Sequence, residues 1–188
     1  VLLCSRVTDM LPQQISPENL LPALYMAAES RNPYFRVGYN SLGAYATINH
    51  LHFQAYYLME AFPIERANTV EIFPGTHGDC TVYRVNGYPV RCLCFEVGDS
   101  FEELASLVGG CAVKLQGANI PFNILIADHG ARVFLIPQVF SIRIANNKIP
   151  EHVIHTGVNP AVFEISGHLL YKQESDYDQC TETSAEEL

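Results

Sequence analysis

The chain has 188 residues, 48% hydrophobic and 16% charged, a balance that suits a packed globular core and excludes a disordered chain. Its formal net charge of −9 gathers at the end, where Glu174, Asp176, Asp178, Glu182, Glu186 and Glu187 stand without a Lys or Arg, so residues 173–188 read as an acidic, disordered tail. The acidity excludes nucleic acid as a bulk partner, and no apolar run reaches the ~20 residues of a membrane span.

In chain order, residues 1–7 read as a short strand. Because Val1-Leu2-Leu3 looks like a strand interior, the chain is expected to be part of a longer protein whose preceding segment helps complete the site. No basic start followed by an apolar run reads as a signal peptide. Ser16-Pro17 predicts a helix start, with Ser as cap and Pro at the first helical position. Leu20, Leu24, Ala27 and Ala28 form its core stripe, and the helix should stop by Asn32-Pro33. Residues 34–39 read as a strand, 40–43 as a turn, and 44–58 as a second strand closed by Phe62-Pro63.

The dipeptides Pro74-Gly75, Gly78-Asp79 and Asn86-Gly87 predict a loop or irregular hairpin over 66–87. A strand over 88–97 and a helix over 100–116, capped by Asp99 or Ser100, follow. Residues 122–127 and 132–139 make a hairpin across Asp128-His129-Gly130. Residues 146–156 read as loop or short helix, and 162–172 as a last strand. His129, His152 and His155 fall in predicted turns and read as solvent-facing.

A weak internal repeat runs through this order. Asn32-Pro33-Tyr34-Phe35 opens a strand, turn and strand that end in His52-Phe53-Gln54. Asn119-Ile120-Pro121-Phe122 opens another set, ending in Ile136-Pro137-Gln138. The expectation is an α+β fold of two halves, residues 1–68 and 69–172, with an antiparallel sheet and flanking helices. Ile136 stands where His52 stands, so the second half is degenerate.

The chemistry concentrates in His50-Leu51-His52-Phe53-Gln54. On an extended chain His50, His52 and Gln54 point one way, and Leu51, Phe53 and Ala55 point to the other face, where they can anchor on a core. An imidazole is largely neutral near pH 7 and can form covalent intermediates. Two histidines and an amide on one face, with a glycine turn just upstream, favour a reactive row over satisfied core histidines.

Asn40, Gly43, Thr47 and the His50-x-His52-x-Gln54 run resemble the active-site strand of the histidine-triad superfamily, with Gln54 where its hydrolases keep a third His. Gln there marks the transferase branch typified by galactose-1-phosphate uridylyltransferase. INHLHFQAYYL, PYFRVGYNSLGA, NIPFNILIAD, VFLIPQ and VNPAVFEISGH further resemble the GDP-L-galactose phosphorylases of plant ascorbate synthesis. The resemblance spans residues 1–172.

That resemblance implies phosphorolysis of GDP-L-galactose to GDP and L-galactose 1-phosphate. His52 would be the nucleophile, the His50 carbonyl would hold its ring, and Gln54 would bond the phosphoryl group. Asn40 and Thr47 would hold phosphate oxygens, as would donors at Ser41 and Gly43. A sugar 1-phosphate leaves without strong protonation, and a neutral Gln is poor at activating water, which fits transfer over hydrolysis. A GDP-D-glucose or other nucleotide-sugar phosphorylase, and a non-catalytic nucleotide-binding or regulatory protein, stay open.

The implied partners are small molecules, a GDP-sugar and inorganic phosphate, with a homodimer left open. No cofactor is expected, and the location implied is cytoplasmic, with the nucleus left open. Arg36 is either a cation for phosphate or a solvated edge residue. Glu164 and His168, four apart on the predicted last strand, either line the substrate site or pair across the sheet. His77, Cys80, Cys92 and Cys94 match no common zinc module, so no metal is expected. The six cysteines, irregularly spaced, read as reduced thiols.

Overall fold

A computed structural model gives the fold, and residues 1–75 and 79–187 are described. Helix α1 (Pro17–Glu29) starts where its caps dictate. Ser16 Oγ accepts from the Asn19 N–H at 3.4 Å, and Asn19 Oδ1 accepts from the Ser16 N–H at 2.9 Å. Helix α3 (Phe101–Gly117) is capped by Ser100, whose Oγ accepts from the Glu103 N–H at 3.1 Å. Leu20, Ala23, Leu24 and Ala27 of α1 and Leu104, Ala105, Val108 and Ala112 of α3 are buried in one common core.

Beneath these helices lies one eight-stranded sheet. Its strands are β1 (Leu2–Leu3), β2 (Phe35–Asn40), β3 (Phe53–Tyr57), β4 (Asn68–Phe73), β5 (Thr81–Asn86), β6 (Leu93–Glu96), β7 (Phe122–Ala127) and β8 (Arg132–Pro137). They run in the order β1-β3-β2-β7-β8-β6-β5-β4, and every neighbouring pair is antiparallel. The repeat read in the sequence has a spatial counterpart: α1-β2-β3 and α3-β7-β8 meet along β2 and β7, with Val37 opposite Ile126 and Asn40 opposite Asn123. The fold is α+β, an antiparallel sheet with flanking helices.

Alternation sorts the sheet into two faces. Val37, Tyr39, Phe53, Ala55, Phe122, Ile124, Ile126, Val133 and Leu135 are buried under α1 and α3. On the other face Leu125, Ala127, Phe134 and Ile136 are covered by Phe62, by Ile64 of α2 (Pro63–Arg66), and by Val162, Phe163 and Ile165 of α6 (Val162–Ile165). Gly38 makes that second layer fit. A Cβ there would lie 2.5 Å from Val162 Cγ1 and 2.9 Å from Phe163 Cζ, inside any tolerable contact.

Two expectations are corrected. Residues 44–52 are not strand, because their backbone groups are engaged elsewhere. The Ser41 carbonyl accepts from the Ala44 and Ala46 N–H groups at 3.0 and 3.2 Å, Tyr45 has a left-handed φ of 71°, and the Leu51 N–H donates to the Leu11 carbonyl at 2.8 Å. The strand begins only at Phe53. Residues 162–172 are not strand either. The Val162 N–H donates to Asn40 Oδ1 at 2.9 Å, Ser166 Oγ donates back to the Val162 carbonyl at 2.6 Å, and Gly167 turns the chain with a φ of 107°. The segment thus winds into α6 and lies across the sheet face.

Elsewhere, of the loop or irregular hairpin expected within 66–87, the described residues show the hairpin strands, β4 and β5 paired antiparallel with a bulge between Glu71 and Phe73, and the 88–97 strand shortens to β6. Short helices α4 (Phe140–Ala145) and α5 (Glu151–His155) follow β8, and α7 (Glu174–Asp178) and α8 (Glu182–Glu187) lie in the acidic tail. Among the described residues no helix is long and apolar enough to cross a membrane.

Candidate active site

Burial alternates from Leu51 to Tyr56 although the strand begins only at Phe53. Leu51, Phe53 and Ala55 are buried in the core beneath the helices, whereas His52, Gln54 and Tyr56 are half-buried and belong to the opposite face. His52 thus stands one residue before β3 begins. Its Nδ1 lies 2.8 Å from the His50 carbonyl oxygen. A carbonyl can only accept, so Nδ1 carries a proton, and when the ring is neutral the lone pair is on Nε2. Gln54 follows on the same face, opposite Gly38 in the β2–β3 register.

What holds His52 is a buried glutamine that the sequence reading passed over. Gln13, 2% exposed, accepts from the His52 N–H at 2.9 Å and donates to the His52 carbonyl at 3.2 Å and to the Asn40 carbonyl at 2.8 Å. A clue was present in Leu11-Pro12-Gln13, which echoes Ile136-Pro137-Gln138. Gln138 is also buried. Its amide donates to Asn123 Oδ1 at 2.9 Å and to the Pro160 carbonyl, and Asn123 Nδ2 donates to Asn40 Oδ1 at 2.6 Å and to the Ala44 carbonyl at 2.9 Å. A line of amides therefore runs from Gln138, just past β8, to the His52 peptide.

The expected phosphate-binding residues have other occupations in this structure. Asn40 is buried, and its side-chain oxygen is shared by Asn123 and the Val162 N–H. Ser41 is buried, and its Oγ accepts from the Phe122 N–H at 2.8 Å. Gly43 has a left-handed φ of 79°, and a Cβ there would stand 3.0 Å from Pro121 Cγ, so the turn requires glycine. Thr47 is exposed, just before the bend that leads to His50.

Arg36 corrects both readings made of it. It is 3% exposed, and its Nε and Nη2 meet the two Glu65 carboxylate oxygens at 2.9 and 3.0 Å, while Nη1 donates to the Pro33 carbonyl. The guanidinium is neither solvated nor open to a phosphate.

Beyond Gln54 the row meets the second covering segment. Tyr56 Oη lies 2.9 Å from His168 Nδ1, and the Tyr56 ring stacks edge-on against Phe163 at 4.3 Å. Burial raises the Glu164 carboxyl above its ordinary pKa. It also raises the Tyr56 hydroxyl, which the Glu164 charge lifts further. His168 thus meets Tyr56 from the turn after α6, whereas Glu164, on α6, acts on that hydroxyl through its charge, and neither lies on a strand.

His77 lies outside the described residues. Burial pushes the Cys94 thiol up to about 11 and the Cys92 thiol well above its usual value, so neither is an activated nucleophile. Among the described residues no group of three or more His, Cys, Asp or Glu side chains is placed to hold a metal ion.

Comparison with known proteins places the chain. Residues 1–56 match the family model described as GDPGP1-like, N-terminal domain, and residues 63–188 match GDPGP1-like, C-terminal domain. The chain is 52% identical to GDP-L-galactose phosphorylase 1 of Arabidopsis thaliana over 185 residues, covering 98% of this chain and 42% of the relative. It is 30% identical to GDP-D-glucose phosphorylase 1 of Homo sapiens over 201 residues, covering 98% of this chain and 49% of the relative. The chain therefore spans less than half the length of either relative. The fold is similar to that of yeast Ap4A phosphorylase Apa2, with a TM-score of 0.58 at 13% identity over 94% of this chain and 63% of that one. With both domain models matched in order along its length, the chain belongs to the GDPGP1-like family.

Proposed function

We propose that the protein containing this chain is a GDP-sugar phosphorylase that works through a guanylyl-histidine intermediate, with GDP-L-galactose as its sugar nucleotide. The observation that carries the reading is the bond between His52 Nδ1 and the His50 carbonyl, which selects the tautomer whose nucleophilic lone pair is on Nε2. That lone pair attacks the α-phosphorus. The bond from the α-phosphorus to the bridging oxygen breaks, and its electron pair leaves on the sugar 1-phosphate. An oxygen of inorganic phosphate then attacks the same phosphorus, the P–N bond returns its electrons to Nε2, and GDP departs.

Gln54, next on the same face, donates to a phosphoryl oxygen as charge develops on it, the kind of fixed donor that contributes most in such sites. Thr47, exposed just upstream, and the turn at Ser41 and Gly43 border the phosphates. Asn40 acts from behind by fixing that turn and α6. Glu164 and His168 close the far end of the row beside Tyr56. Identity of 52% to a GDP-L-galactose phosphorylase against 30% to a GDP-D-glucose phosphorylase supports L-galactose as the sugar.

The test is phosphorolysis by the full-length protein across GDP-, UDP- and ADP-sugars. Turnover that prefers GDP-L-galactose over GDP-D-glucose is expected. A preference for UDP-sugars, or binding without turnover, would contradict the reading.

A further inference from the structure

The peptide of His52 sits where the sheet gives it no partner. β3 starts at Phe53, and the preceding residues pair with the segment around Leu11 instead. Both polar groups of the His52 backbone would be orphaned at that point, yet both are bonded to a single side chain. Gln13 Oε1 accepts from the His52 N–H and Gln13 Nε2 donates to the His52 carbonyl, while the same Nε2 reaches the Asn40 carbonyl at the end of β2. An amide side chain here takes the place of a strand's peptide group.

Gln13 is itself held independently of that side chain. Its backbone N–H donates to Asn49 Oδ1 at 2.9 Å, and its carbonyl accepts from the Tyr39 hydroxyl at 2.9 Å. The ring of His52 is fixed at its other end by the His50 carbonyl. The position of Nε2 therefore depends on two clamps, one on the ring and one on the peptide.

We propose that Gln13 is a positioning residue for His52, setting where Nε2 meets the α-phosphorus without touching the substrate. This rests on the reading of His52 as nucleophile. It goes beyond that reading by assigning to a residue of the Leu11–Ser16 segment a share in the rate and none in substrate binding. Because the backbone of Gln13 is held by Asn49 and Tyr39, replacing the side chain loosens the His52 peptide without freeing the segment.

The experiment uses full-length protein carrying Gln13→Leu or Gln13→Glu, with two readouts. The first is the single-turnover rate of nucleotidyl transfer to the enzyme, and the second is the downfield proton signal of His52 Nδ1–H, assigned by its absence in His52→Asn. Gln13→Leu is expected to slow transfer by about 10²-fold with little change in KM, the scale of a misplacement near 1 Å, and to shift or broaden the downfield signal. In Gln13→Glu the new carboxyl, when neutral, can accept from the His52 N–H and donate to one of the two carbonyls the amide serves, whereas its ionised form opposes both. The rate of Gln13→Glu relative to wild type should therefore recover as the pH falls.

A residue that only fills the core would give Gln13→Leu normal transfer per folded molecule, an unmoved signal, and a Gln13→Glu ratio flat in pH. Any of these would overturn the proposal. Should Gln13→Leu fail to fold, the pH profile of Gln13→Glu decides alone. If wild type shows no transfer at all, the reading of His52 as nucleophile fails, and the downfield signal still decides for or against the clamp.

Discussion

Asn40 and Asn123 face each other across β2 and β7, and Asn123 Nδ2 donates to Asn40 Oδ1 at 2.6 Å. This contact lies where the two repeats meet, and it ties β7 to the turn that leads toward the histidines. Asn123 also holds the Ala44 carbonyl in the turn before the histidines, and Asn40 passes the constraint to the first N–H of α6.

Replacing Asn123 by Ala leaves the buried Ala44 carbonyl without that donor, at a cost of about 1–3 kcal/mol. Asn123→Asp should be worse, because an acceptor then faces Asn40 Oδ1. Urea denaturation of the two variants checks the order. Equal stability of the Asp and Ala variants would contradict it.

The Arg36–Glu65 pair is expected to matter for stability and not for phosphate binding. Its side chains are 4% and 9% exposed, so Glu65→Gln leaves a buried cation and should cost about 3–5 kcal/mol. A loss below about 1 kcal/mol, the range of exposed pairs, would show that the guanidinium is more accessible than its burial indicates.

Gly38→Ala sets two effects against each other. Alanine in a strand interior gains about 0.5–1 kcal/mol over glycine, but the added Cβ would stand 2.5 Å from Val162 Cγ1, and overpacking costs about 1–3 kcal/mol. The net is destabilisation, with α6 pushed off the sheet beside Gln54. A more stable variant would mean that α6 is free to shift.

Much of this was legible in sequence, and the failures share a cause. Caps at Ser16 and Ser100, the β7–β8 hairpin and the alternation from Leu51 to Ala55 are local, and local rules found them. The segment around Glu164 reads as strand because its apolar residues suit one. It becomes helix because Asn40, 122 positions away, takes the N–H of Val162. Gln13 was missed for the same reason, since its partners at Asn40 and His52 lie 27 and 39 positions away and only the echo of Ile136-Pro137-Gln138 in Leu11-Pro12-Gln13 marks it. Arg36 looked available because its partner arrives from α2.

Glu164 should give the fold a measurable pH dependence. Burial raises its carboxyl pKa above the unfolded value, so the folded state holds the proton more tightly. The stability this contributes is present below the unfolded pKa and is lost as the pH rises through the folded one. Wild type should therefore lose stability relative to Glu164→Gln as the pH climbs from the ordinary carboxylate range through that raised value. Parallel melting curves against pH for the two proteins would contradict it.

The covalent step is tested most directly by label. Full-length protein incubated with GDP-L-galactose carrying labelled α-phosphorus, without phosphate, should retain label that is acid-labile and base-stable, as a phosphoramidate is, and peptide mapping should place it on His52. Adding phosphate should release it as GDP. His52→Ala should take up none, and Gln54→Ala should take up label more slowly. Label persisting in His52→Ala, or none in the wild type, would contradict the guanylyl-histidine mechanism.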